Sequence, residues 1–239
     1  LNGGIWGDAS CEAPASALTD HHEQGRANVQ WDEKNEVYPD DFLKGHAGST
    51  ESPQLARSLT YNVYARQVRD YKRRNLKAAA TLVAKFAREH PDLFIGVVLD
   101  SDTYMNPFFR GQKTMDYNPG MLRQFRDWLR GTGPYAGKGE DGAPDLRAYR
   151  RETVYSLDDV NRIARQGWTS WDQVDPPREF PGSFITPEVP PGKMRIWDDP
   201  WWHLWEEFRK HVVDLHYDEL STWVRESGIP PDRIFSAQG

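Results

Sequence analysis

The run Leu93-Phe94-Ile95-Gly96-Val97-Val98-Leu99 constrains this chain more than any other feature. It holds no polar residue, is partly β-branched, and does not alternate apolar with polar positions. A strand of that kind belongs to a parallel sheet covered by helices, not to an antiparallel sheet with one wet face. Helix signals flank it. Upstream, Ser52-Pro53 supplies an N-cap and a first-turn proline. Apolar residues then recur at Leu55, Leu59, Val63, Tyr71, Leu76, Ala79, Leu82, Val83 and Phe86, before His90-Pro91. This spacing predicts one long helix, or two joined near Tyr71 to Arg74. Downstream, Asn118-Pro119 opens a helix with Leu122, Phe125, Trp128 and Leu129 on one face, stopped by Gly131. Ser156 caps a short helix carrying Val160, Ile163 and Ala164. Asp199-Pro200 begins the last helix, with Trp201, Trp205, Phe208, Val212, Leu215, Leu220 and Trp223 on a stripe and Gly228 and Pro230 beyond its end. Ile234-Phe235 reads as a final strand.

Helices alternating with a wholly apolar strand define an α/β architecture. The 239 residues contain three or four credible strands, too few for a complete eight-stranded barrel. Residues 1–239 are therefore expected to form part of a single barrel-type domain, with 131–198 as a loop-rich, proline-rich insertion. Leu1 to Trp6 reads as the tail of a strand entering a glycine loop, and Arg233 to Ala237 as a strand leaving a Pro-Pro turn. Both ends are expected to continue into a longer protein. With 36 acidic and 30 basic side chains the chain carries a net charge of -6, which argues against a nucleic-acid groove. No apolar run reaches the length of a membrane span. The single cysteine, Cys11, excludes an intrachain disulfide and has no evident activating base near it in sequence.

In α/β sheets the chemistry sits where strands end at the carboxyl edge. Asp100 and Asp102 lie there, followed by Tyr104 and Asn106. Two functional readings of Asp100-Ser101-Asp102 compete. The carboxylates could hold a divalent cation against a nucleotide-sugar diphosphate, as in metal-dependent glycosyltransferases. Alternatively, one carboxyl protonates a glycosidic oxygen, as in barrel glycosidases. The ten tryptophans divide in a way that bears on both. Trp128, Trp201, Trp205 and Trp223 fall at helical spacing and are assigned to the core. Trp6, Trp31, Trp168 and Trp171 fall in predicted loops, where an indole can stack on the C–H face of a sugar and donate its N–H. Asn2, Asn28, Gln30 and Gln238 are candidate hydroxyl partners. The cluster Asp20-His21-His22-Glu23 lacks a second spaced pair and reads as a solvated loop, so no metal site is assigned. His211 and His216 are expected on a helix surface, and Arg69, Lys72, Arg73, Arg74 and Lys77 on a solvated helix face.

Several of these segments together resemble a known group of enzymes. Val97-Val98-Leu99-Asp100-Ser101-Asp102-Thr103-Tyr104, then Asp116-Tyr117-Asn118-Pro119 and Phe125-Arg126-Asp127-Trp128-Leu129, are similar to the fourth-strand region of clan A glycoside hydrolases. Within the clan the resemblance is to family 42 β-galactosidases and their uncharacterised relatives. Val160-Asn161, Trp168, Ser170-Trp171, Val174 and Pro176-Pro177-Arg178 resemble that family's Leu-Asn-x-x-Trp and Pro-Pro-Arg insertion. The resemblance implies a (β/α)8 TIM-barrel fold and retaining hydrolysis of a glycosidic bond, without a cofactor. It places the acid/base at Asp102, where the family has Asn-Glu and this chain has Ser101-Asp102, one methylene shorter. The nucleophile, a glutamate at the end of the seventh strand, is expected beyond Gly239. The implied partners are a carbohydrate substrate and the remainder of the barrel or a further chain segment, with homo-oligomerisation left open. A non-catalytic sugar-binding relative is the third reading.

Overall fold

The computed structural model describes residues 27–28, 30–36, 62, 65–99, 116–132, 154–178 and 198–236. The chain divides into two compact units. One comprises Leu1–Gln30, Val37–Tyr104 and His216–Gly239, and the other Trp31–Glu36 and Met105–Leu215.

In the first unit, α1 (Arg66–Glu89) precedes the strand β1 (Val97–Val98), and β2 (Ile234–Phe235) pairs with β1 in parallel. The register is Val97 opposite Ile234 and Val98 opposite Phe235, and Leu99 N–H donates to the Phe235 carbonyl at 2.8 Å. α1 is one continuous helix through Tyr71 to Arg74, because Ala and long unbranched side chains dominate its interior. It ends at His90, whose N–H donates to the Phe86 carbonyl, just before Pro91. Leu76, Ala80 and Ala84 of α1 pack with Val97 and Leu99 of the strand and with Leu220, Trp223, Val224 and Ile229.

Two expectations change here. The seven-residue apolar run pairs as a strand only at Val97–Val98, and Leu93 and Ile95 are 70% and 81% exposed. Nor is the strand pair covered on both faces among the described residues: Val97 and Leu99 face the helices, whereas Val98 and Phe235 are each 49% exposed. The alternation of a pleated strand separates these two sets. Gly96 is required by the pairing, since a Cβ there would sit 2.6 Å from Phe235 Cε2 and 2.7 Å from the Arg233 carbonyl oxygen.

In the second unit, α2 (Pro119–Leu129) starts where Asn118 Oδ1 accepts the Gly120 N–H at 2.8 Å, with Pro119 in the first turn. It stops at Gly131, whose φ of 66° suits glycine; a Cβ there would meet Val154 Cγ2 at 2.7 Å. α3 (Leu157–Ala164) carries a capping box, with Ser156 Oγ accepting the Asp159 N–H and the Asp159 carboxylate accepting the Ser156 N–H. A single 3₁₀ turn spans Trp171–Gln173. The helix α4 (Pro200–Glu226) is initiated by Asp199, whose Oδ1 accepts the Trp201 N–H at 2.8 Å, and its residues divide between the units after Leu215. Its first half builds the core of the second unit. Phe125 meets Trp205 edge-on at 5.0 Å and Trp201 at 5.4 Å, while Trp205 stacks on Phe208 at 5.6 Å. The helix-stripe tryptophans are thus core residues, as their spacing predicts. Trp202, which the stripe omits, is buried as well.

Candidate functional site

Of the residues singled out in the sequence, Asp100, Asp102, Asn2, Trp6, Tyr104, Asn106 and Gln238 lie outside the described residues. The described residues end at Leu99, just past β1 and one residue before Asp100, and at Ser236, just past β2. Parallel pairing brings Leu99 and Ser236 to the same carboxyl edge. Trp31 and Trp171 are described, and both belong to the second unit.

Trp31 is held by its backbone from both sides. Its N–H donates to Asp116 Oδ1 at 2.9 Å, and its carbonyl accepts the Tyr117 N–H at 2.9 Å. Asp116 Oδ1 also accepts the Asn118 N–H at 2.8 Å, so one carboxyl oxygen joins Trp31 to the start of α2. Asp116 is 1% exposed, and its Oδ2 is buried with no hydrogen-bond partner among the described residues. Burial pushes its pKa from 3.8 up to about 7, against the opposing pull of the two N–H groups and of Arg209. Arg209 is itself buried and ion-paired with Glu206 at 2.6 Å.

The chain beyond Trp31 forms a tight loop. Asp32 Oδ1 accepts the N–H groups of Lys34 and Glu36, and Asn35 adopts a φ of 63°, a conformation that Asn tolerates better than most residues. Arg178 clamps this loop. Its guanidinium pairs with both carboxylate oxygens of Asp175, donates to the Glu33 carbonyl at 2.8 Å and to Asn35 Oδ1 at 2.9 Å, and lies 4.8 Å over the Tyr117 ring. The Asp175 hydrogen bond is the main cause of a raised Arg178 pKa. Tyr117 in turn donates its hydroxyl to the Pro177 carbonyl and stacks on Trp205 at 5.5 Å. The Pro-Pro-Arg segment is therefore the structural support of the loop that carries Trp31.

Trp171 is half-buried in the 3₁₀ turn, with the Arg130 guanidinium 5.6 Å from its ring. Trp168 is a packing residue. Its ring lies 5.7 Å from that of Trp201, and the Asn161 side chain bonds both its N–H and its carbonyl at 2.8 Å. That pair of bonds explains the Asn-to-Trp spacing physically. Asn28 and Gln30 are buried.

The first unit contains a polar cluster that the charge pattern hides. Lys72 is 7% exposed and places its Nζ 3.4 Å from Nε2 of the buried His216. Lys72 is buried because it falls on the i, i+4 row of Val68, Leu76, Ala80 and Ala84, all of which face the core. Arg69 forms a two-pronged pair with Glu219, whose carboxyl burial raises in pKa despite that partner. Arg73 and Lys77 both reach Glu226. The expected solvated face is thus correct at Arg74, which is exposed, and wrong at Lys72. The expectation of surface histidines fails at both His211 and His216, which are buried.

Among the described residues no group of three or more His, Cys, Asp or Glu side chains could hold a metal ion, and no helix is long and apolar enough to cross a membrane. No family model matches the chain, and no curated protein or solved structure matches it.

Proposed function

We propose that the chain is part of the catalytic domain of a retaining glycoside hydrolase with a (β/α)8 barrel, acting on β-galactoside-like substrates. The observation that carries this reading is the position of Asp100-Ser101-Asp102, which follows directly on Leu99 at the carboxyl end of a strand paired in parallel with β2. Catalytic groups of barrel enzymes come from such strand ends. Two further features support it. The apolar outer face of the strand pair, Val98 and Phe235, suits coverage by the interior of a larger sheet. Trp31, a candidate sugar contact by residue type, is half-buried on a loop braced by Arg178.

In this reading Asp102 donates its proton to the leaving glycosidic oxygen while a second carboxylate, about 5 Å away, attacks the anomeric carbon. Asp102 then takes a proton from water as the glycosyl intermediate is hydrolysed. Asp100, Tyr104 and Asn106 are near the acid in sequence, and Asn2, Trp6, Trp31, Trp171 and Gln238 are the candidate substrate contacts by residue type. The test is turnover by the full-length protein on a panel of nitrophenyl glycosides. The expected result is release of nitrophenol from the β-galactoside, with a product that keeps the anomeric configuration. Manganese-dependent binding of a nucleotide sugar without hydrolysis would instead assign the Asp-Ser-Asp segment to metal.

A further inference from the structure

A helix on the surface of a globular protein carries one apolar stripe, which faces the core. In α1 that stripe is Leu76, Ala80 and Ala84, buried with Val97, Leu99, Leu220 and Val224. The same helix carries a second row on another side. Arg74, Ala78, Leu82 and Phe86 follow one another at i, i+4 spacing and are all exposed, Leu82 at 71% and Phe86 at 45%. One exposed leucine carries no information, but contiguous exposed apolar side chains mark a contact surface. We propose that this row is a self-association surface, on which α1 of one copy packs antiparallel to α1 of a second copy about a two-fold axis at Leu82. The proposal is independent of the glycosidase reading.

The two ends of the row fit each other. Toward the C-terminus from Leu82 come the ring of Phe86 and the exposed Glu89 carboxylate; toward the N-terminus come the small Ala78, then Asn75 and the exposed Arg74. In an antiparallel pair, residues equidistant from Leu82 on its two sides lie opposite one another. Phe86 of each copy then meets Ala78 of the other, and Glu89 of each reaches Asn75 and, beside it, Arg74. Both contacts occur twice, as an isologous interface requires. A bulky side chain over a small one lets the helices approach to about 8–10 Å. Parallel pairing would instead set Phe86 against Phe86 and Glu89 against Glu89. The second copy thus carries, in size and in charge, the complement that this face needs.

The neighbouring charges agree with this arrangement. Arg74 Nε donates to Asn75 Oδ1 at 2.9 Å and its guanidinium lies 4.6 Å from the Tyr71 ring centroid, which holds the positive charge at the N-terminal end of the row. Lys85 lies 3.8 Å from Glu89 and falls opposite the uncharged Ala79 of the second copy. Arg73 and Lys77 are turned to Glu226 of α4. From Arg74 to Glu89 the face is about 22 Å long. A single helix face of that length is smaller than the about 800 Å² per partner of a standard interface, so the association is reversible and depends on concentration.

The experiment is sedimentation velocity on the full-length protein from about 1 μM to about 1 mM. The sedimentation coefficient should rise with concentration from that of a monomer toward that of a dimer. Leu82→Glu, which sets two carboxylates at the two-fold axis, should remain monomeric throughout and keep the wild-type helix content by circular dichroism. Ala78→Arg tests the same row if that variant does not fold. Glu89→Arg brings like charges together at both ends and should weaken association about three- to tenfold. Adding Arg74→Glu should restore it, because the exchange rebuilds the pair with the signs reversed. A wild type that is monomeric at every concentration overturns the proposal, as does a dimer that Leu82→Glu and Ala78→Arg leave intact. A double exchange that associates no more tightly than Glu89→Arg alone refutes the antiparallel arrangement, and the proposal with it.

Discussion

The buried Asp116 carboxyl makes a quantitative claim about stability. Its folded pKa of about 7 lies above its ordinary value of 3.8. The neutral acid is therefore favoured by folding, so its stabilising contribution is fully present below about pH 4 and is lost as pH rises through about 7. At about 1.4 kcal/mol per pH unit, the interval from 3.8 to about 7 makes the loss about 4 kcal/mol at alkaline pH. Asp116→Asn removes the titration. The amide keeps an acceptor for the Trp31 and Asn118 N–H groups, but it buries an NH₂ where Oδ2 has no partner among the described residues. That second change costs about 1 to 3 kcal/mol at every pH and cancels when two pH values are compared. Urea denaturation followed by tryptophan fluorescence measures the effect in the second unit, where five of the tightly packed rings lie near one another. The stability difference between variant and wild type should move in the variant's favour by about 4 kcal/mol between about pH 4 and pH 8. Other titrating groups, among them Asp214 and Glu219 with raised pKa values, act on both proteins and drop out of the difference. A difference that is constant with pH would refute the assignment of a protonated, buried Asp116.

Substitutions at three further positions test the supports. Arg178→Ala removes the contacts to Asp175, Glu33 and Asn35 together; it should destabilise by about 2 to 3 kcal/mol in the same assay, and Arg178→Lys should recover less than half, because a single ammonium cannot reproduce the fork. Trp205→Ala deletes an indole that touches Tyr117, Phe125 and Phe208 and should cost about 3 to 5 kcal/mol. Gly131→Ala combines a positive φ with a Cβ approach of 2.7 Å to Val154. The loss should be about 1 to 3 kcal/mol, visible as a lower thermal midpoint.

What could be read from the sequence was the part set by neighbouring residues. Asn118-Pro119, Ser156 with Asp159, Asp199-Pro200 and the stop at Gly131 all act within one helical turn, and each begins or ends a helix where local chemistry requires. The stripe from Trp201 to Trp223 is periodic and is buried as its period demands. The extent of β1 was not legible. Strand pairing depends on β2, more than a hundred residues away, and only two residue pairs meet in register. Lys72 was misread because a charge run outweighed its place on the row of Val68, Leu76, Ala80 and Ala84; that row was the signal available. His216 and Asp116 carried no comparable signal. They meet partners 144 and 85 residues distant in sequence, Lys72 for the one and Trp31 for the other. For the candidate site, sequence reasoning named Trp31 as a contact residue and quoted Asp116 and Pro176-Pro177-Arg178 only as segments of the resemblance, not as the groups that hold the Trp31 loop.

The central claim is that Asp102 is the proton donor of a glycoside hydrolase, and one comparison tests it most directly. Hydrolysis of nitrophenyl β-galactoside by the full-length wild type and by Asp102→Asn should differ by about a hundredfold to ten-thousandfold, the scale of general-acid catalysis. Equal rates in the two proteins would contradict it.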